Sequence, residues 1–273
     1  MTSFELVIKP HRGWQPIDFR ESYLYRELLA FLVWRDIKIR YRQTALGGLW
    51  AVFQPLLGMI IFTLVFNRLA GVHSDTVPYP LFAYSGLAPW TFFSNSVSYS
   101  SNSLVGNQHL VSKVYFPRIF IPLGAIGAFL VDLFFSMSLV FVLMMYYHWT
   151  LTPKILLLPV FILGILLAAS GAGLALSALN VSFRDVKYAV PFLVQMGLFV
   201  TPIIYPARYI PAKWQYLLAL NPMAGMVMGF RYCLLGSAVS WNLIAISFLV
   251  SVLLFGAGLL IFRRMERRFA DII

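Results

Sequence analysis

The chain has 273 residues, 60% of them hydrophobic and only 11% charged, with a formal net charge of +11. So few charges exclude an ordinary soluble domain, in which about a quarter of the residues are charged. Nucleic-acid binding is excluded as well, because its cations would line a water-exposed surface, whereas these sit between long apolar runs and suit anionic lipid headgroups.

The first predicted element is a helix from Tyr23 to Tyr41, in which Leu24, Leu28, Phe31, Leu32 and Ile39 recur near helical spacing between charged residues. It reads either as an amphipathic anchor on the lipid surface or as a docking surface for a soluble partner. A spanning helix needs ~20 mostly apolar residues. Six later segments qualify: about Leu49–Ala70, the serine-rich Leu81–Leu104, Ile119–Tyr147, Ile155–Leu179, the short Ala189–Tyr205, and Trp241–Phe262. Between the last two lies an apolar stretch, Pro211–Gly236, cut by Asn221-Pro222. Its two pieces are too short to cross a bilayer, and the residue before a proline resists helical geometry. They read as a re-entrant pair, with a single kinked span as the alternative. The expected fold is therefore an all-α polytopic membrane protein with six spans. A cytoplasmic N-terminal segment (1–48) precedes the membrane domain (49–273), whose re-entrant region covers about 207–236.

With both termini on one side, that side holds sixteen of the 21 cations: all those through Arg42, then Lys113, Arg118, Arg184, Lys187, Arg263, Arg264, Arg267 and Arg268. Loops rich in Lys and Arg stay cytoplasmic, so both termini are expected inside. The N-terminus shows no short apolar run with a cleavage site, so no removable signal peptide is expected.

Signals for covalent chemistry are weak. The single cysteine, Cys233, allows no intrachain disulfide, and the four histidines are scattered without metal-ligand spacing. There is no G-x-x-x-x-G-K-[ST] phosphate loop, so any ATPase is a separate polypeptide, and no cofactor is expected on this chain. Asp132 is the one acid midway along a span; it either pairs with a neighbouring helix or serves function. Arg231 faces an anionic substrate or snorkels to the interface. Trp50, Phe53, Tyr84, Trp90, Phe92, Phe93 and Tyr99 cluster in the first two spans. They read as packing and interface aromatics, or as ring faces for a sugar polymer, with the hydroxyls of Ser94, Ser96 and Ser98 beside them.

Four stretches carry a resemblance: WRDIKIRYRQTALGGLWAVFQPLL (Trp34–Leu57), LVSKVYFPRIFIPL (Leu110–Leu123), NVSFRDVKYAVPFLVQMGLFVTPIIYP (Asn180–Pro206) and LNPMAGMVMGFRYCLLG (Leu220–Gly236). They resemble the permease subunit of type-2 ABC exporters for bacterial polysaccharides. The O-antigen export permeases are the nearest type, with capsule and teichoic-acid exporters beside them. The resemblance implies two copies of this chain, two copies of an ATPase that binds ATP and magnesium, and a lipid-linked polysaccharide crossing the bacterial inner membrane between the permeases. It implies coupling to the ATPase through Asn107, His109, Lys113 and Tyr115, through Phe183, Arg184, Asp185 and Lys187, and through Glu27 and Arg35 on the N-terminal helix. It implies an aromatic pathway, carried over to Phe53, Tyr84, Trp90 and Phe93, and places Arg40 and Arg42 near the anionic substrate; the aromatic cluster adds Trp50 and Tyr99 as candidate pathway residues, and Arg231 is a further candidate. The rival readings are a type-2 exporter of another lipid or a drug, a membrane-embedded transferase, and a non-transporting scaffold.

Overall fold

In a computed structural model of the chain, the structure describes residues 25–42, 47–72, 74, 77–114, 116–267 and 269. Tyr115, and everything expected before Tyr25, lie outside the described residues.

The described residues form ten α-helices. They are α1 (Arg26–Tyr41), α2 (Leu49–Phe62, prolonged by a π-helical stretch, Thr63–Leu69), α3 (Tyr79–Gly106), α4 (Gln108–Lys113) and α5 (Phe120–Tyr146). Then come α6 (Leu158–Ser182, led by a 3₁₀ turn, Pro153–Leu157), α7 (Val186–Val200), α8 (Ala212–Ala219), α9 (Pro222–Leu235) and α10 (Trp241–Glu266). Each apolar run expected to be helical contains a helix, because no backbone group can be left unpaired in hydrocarbon, but the helix of the expected Ala189–Tyr205 segment stops at Val200 and 201–205 form turns.

Four of these elements are long and apolar enough to cross a bilayer: Leu49–Leu69, Phe120–Tyr146, Pro153–Ser182 and Trp241–Glu266. The count becomes five if α8 and α9 are taken as one bent span. The sequence expectation was six. Serines lower the hydropathy of α3 although it runs 28 residues. The 15 residues of α7 reach only ~22 Å, short of a ~30 Å hydrocarbon core.

The most buried long helix is α3, which packs against α2, α5, α6, α7 and α9. The broadest helix pairing is α6 with α10, and it depends on two glycines. A methyl group on Gly258 would overlap the carbonyl oxygen of Gly171, so the two backbones touch directly. Pro55 removes one N–H from α2, which leaves the carbonyl of Ala51, four residues earlier, without its helical donor. Ser136 on α5 supplies a replacement, its hydroxyl donating to that carbonyl at 3.0 Å.

α1 runs alongside α5 in the same direction. Leu32 meets Gly124, Val33 meets Gly127, and Arg40 reaches Asp132. The expected apolar face of α1 is divided: Leu32 is buried against α5, while Phe31 and Ile39 are exposed. In a membrane protein, apolar periodicity marks the lipid-facing side as readily as the core. At Asn221 the chain bends by 103° between α8 and α9. The side chain of Asn221 caps α9 by accepting from the Met223 N–H at 3.0 Å, and its amide donates to the Thr201 hydroxyl at 2.9 Å. The turn expected at Asn221-Pro222 is present for that reason.

Candidate functional site

A groove runs along one face of α3, between α2 and α7. On α3 the groove positions are Leu87, Thr91, Ser94, Ser98, Asn102 and Val105. They recur every three or four residues, so they form one stripe ~27 Å long at the helical rise. On α7 the matching stripe is Lys187, Pro191, Val194 and Leu198. The inner part is a cavity of about 350 Å³, where Gln54 of α2 and Gln195 of α7 face the hydroxyls of Thr91, Ser94 and Ser98. End to end with it lies a wider cavity of about 590 Å³, bounded by Asn102, Gln108, Asn180, Arg184 and Lys187. Amides and hydroxyls in otherwise apolar helices are costly against lipid and favourable against water or a polar solute.

Trp90 borders the inner cavity. It is 6% exposed, its indole lies against Gly197 of α7, and its ring centroid is 5.6 Å from that of Phe93. Tyr84 corrects the aromatic expectation: it is fully buried in the core and cannot touch a passing solute. Phe92 is buried likewise. Ser96 also corrects it, being fully buried, because two residues along a helix from Ser94 or Ser98 is nearly the opposite face. Trp50, Phe53 and Tyr99 are exposed, with Trp50 and Phe53 paired edge to face at 5.7 Å.

The charged end of the groove gathers two connections that lie far apart in sequence. α4 buries Val111 in a cluster with Leu32, Leu104, Phe120, Leu174 and Phe262, leaving His109 and Lys113 exposed. The turn between α6 and α7 exposes Phe183, Arg184, Asp185 and Lys187. Asn107 is half-buried, its amide donating to the Ser103 carbonyl at 2.8 Å. The same end is braced by Arg118, which donates to the Glu266 carbonyl at 2.8 Å. On α1, Glu27 is exposed, and Arg35 is paired with Asp36 at 2.8 Å.

Asp132 has its partners on α1. Arg40 bonds one carboxylate oxygen at 2.9 Å and the Tyr41 hydroxyl donates to the other. The Arg40 guanidinium lies 3.4 Å from the Phe129 ring centroid and 5.4 Å from that of Tyr99. Burial, with the Asp132 carboxylate beside it, pushes the Tyr41 phenol well above its usual range. Arg40 is thus already neutralised by an acid, while Arg42 is exposed. Arg231 neither snorkels nor faces the groove. It is buried on α9, bonded to the carbonyls of Pro202, Ile203 and Phe82.

Gln54, Thr91, Asn102, Asn180 and Gln195 were not singled out from the sequence. Their signal was present as lone amides and hydroxyls inside apolar runs, a weaker flag than a charge.

Comparison with known proteins follows the same lines. Residues 27–235 match the family model described as ABC-2 type transporter. The O-antigen export system permease protein RfbA of Myxococcus xanthus is 34% identical over 259 residues, covering 93% of this chain and 98% of that protein. A protein of the same name from Klebsiella pneumoniae is 29% identical over 260 residues, covering 94% and 98%. The polysialic acid transport protein KpsM of Escherichia coli is 27% identical over 243 residues, covering 85% and 91%. With the family model covering most of its length and these relatives matching nearly end to end, the chain belongs to the ABC-2 type transporter family.

Proposed function

We propose that this chain is the membrane permease of an ATP-driven exporter that moves a lipid-linked polysaccharide across the bacterial cytoplasmic membrane. The observation that carries the reading is the groove, whose hydroxyls and amides run ~16 Å from Thr91 to Asn102 along the central helix of an otherwise apolar bundle. A sugar polymer exchanges hydrogen bonds with such a lining, and the Trp90 edge offers a ring face. An exporter of an apolar drug or lipid would need an apolar pocket instead. The relatives named for O-antigen and polysialic acid export support the polymer reading.

In this reading two copies face each other with their grooves turned inward, so that the polymer passes between them. α2, α3, α5, α6, α7 and α10 are the six spans, both termini lie in the cytoplasm, α1 sits at the inner interface, and α8 and α9 form a re-entrant pair at the outer mouth. Two copies of a separate ATPase hold ATP and magnesium. They grip α4 and the α6–α7 turn, helped by Glu27 and Arg35. Because α4 is continuous with α3 and α5, and the turn with α6 and α7, a displacement at the charged end moves both walls of the groove. Charge at Arg184 and Lys187 then serves the partner, not the core.

The test is export in a strain lacking its own exporter, supplied with this chain, its ATPase and the glycan assembly enzymes. Replacing Ser94 and Ser98 together by leucine should abolish surface glycan and leave it in the cytoplasm, while the ATPase still co-purifies. Undiminished surface glycan, or a chain that never co-purifies with an ATPase, overturns the proposal.

A further inference from the structure

At the end of α3 remote from α4, Arg231 presents a separate piece of chemistry. It is 4% exposed. Its guanidinium donates to the carbonyls of Pro202 and Ile203, each at 2.6 Å, and to that of Phe82 at 3.3 Å. It also lies 3.6 Å from the Phe82 ring centroid. These partners are dipoles and a ring face, and none carries a countercharge. Among the described residues no carboxylate pairs with Arg231, and its Nε has no hydrogen-bond partner. A full cation held in a poorly polarisable interior without an anion is expensive, and an anion brought within its reach offsets part of that cost.

The surroundings are shaped to supply it. Arg231 lines a cavity of about 440 Å³ between α9, the turn after α7 and the α9–α10 connection. A second arginine, the exposed Arg208, lines the same cavity together with Ser237. The rest of its wall includes Phe82, Met228 and Leu235, and among the described residues none that lines it is acidic. Two arginines and a serine among the lining residues, with apolar side chains beside them, suit a tetrahedral oxyanion with several acceptor oxygens.

We propose that this cavity is a phosphate-binding site, occupied by the phosphate of a phospholipid headgroup or by free phosphate. Arg208 would meet the anion at the mouth and Arg231 would hold it from below. The site lies apart from the groove and does not depend on what the groove carries.

The full-length protein, purified in micelles and stripped of lipid, is titrated separately with phosphatidylglycerol, diacylglycerol and inorganic phosphate. Bound species are read by native mass spectrometry. Phosphatidylglycerol should bind with unit stoichiometry, and diacylglycerol, which lacks the phosphate, should not. Losing a charge-assisted bond in Arg208→Gln should weaken binding by ~tenfold. Arg231→Lys, which keeps the charge but loses the fork, should weaken it comparably. The exposed Arg68→Gln, which lines no part of this cavity, should leave binding unchanged. Competition by inorganic phosphate assigns the site to the free anion, and its failure to compete assigns it to the lipid. Diacylglycerol binding as tightly as phosphatidylglycerol overturns the proposal, as does binding unchanged in Arg208→Gln. Arg208 is a surface residue, so that variant carries the test even where Arg231→Lys fails to fold.

Discussion

The junction between Arg40 and Asp132 offers the sharpest test of how α1 is held. The Asp132 side chain is 13% exposed and that of Arg40 is 21% exposed, with N–O at 2.9 Å. Arg40→Met strips the carboxylate of its cation and leaves it only the Tyr41 hydroxyl. Breaking one side of a buried pair costs about 3–5 kcal/mol, and the residual exposure favours the lower end, about 3 kcal/mol. Asp132→Leu strands the cation, but the Phe129 face 3.4 Å away compensates it in part. That loss should be smaller, about 2 kcal/mol. Replacing both by the same apolar residues removes the two charges together, so the double variant should lie within about 1 kcal/mol of the parent protein instead of losing about 5 kcal/mol. The assay is thermal unfolding in micelles with a thiol-reactive fluorophore, because Cys233 is the sole cysteine and is fully buried. Additive losses in the double variant would refute the reasoning, since they would mean that each residue acts through contacts other than the pair.

Other expectations follow from single contacts. Gly258→Ala forces α6 and α10 apart at Gly171 and should prevent recovery of folded protein, whereas Gly256→Ala, with open space around it, should be tolerated; the thiol assay distinguishes them. Ser136→Ala leaves the Ala51 carbonyl unpaired and should lower stability by about 1–2 kcal/mol in the same assay. Reversing charge at Arg184 and Lys187 should uncouple ATP hydrolysis from export in the complex while Cys233 stays protected; unchanged export would remove that turn from the mechanism.

The sequence by itself determined which stretches are helical, because a bilayer admits few alternatives for a long apolar run. It also determined the break at Asn221-Pro222, where a local dihedral restriction and a local cap act within three residues. The tertiary structure decided everything that joins distant residues. Asp132 and Arg40 lie 92 positions apart, and no periodicity relates them. Whether Asp132 pairs with a neighbouring helix became readable only once α1 lay along α5. Tyr84 and Trp90 belong to one helix and one aromatic cluster, yet one is sealed in the core and the other edges the groove. Which side of α3 met solvent depended on where five other helices packed. A helix offers its residues to every azimuth alike, and only its neighbours choose which of them stay in reach of a solute.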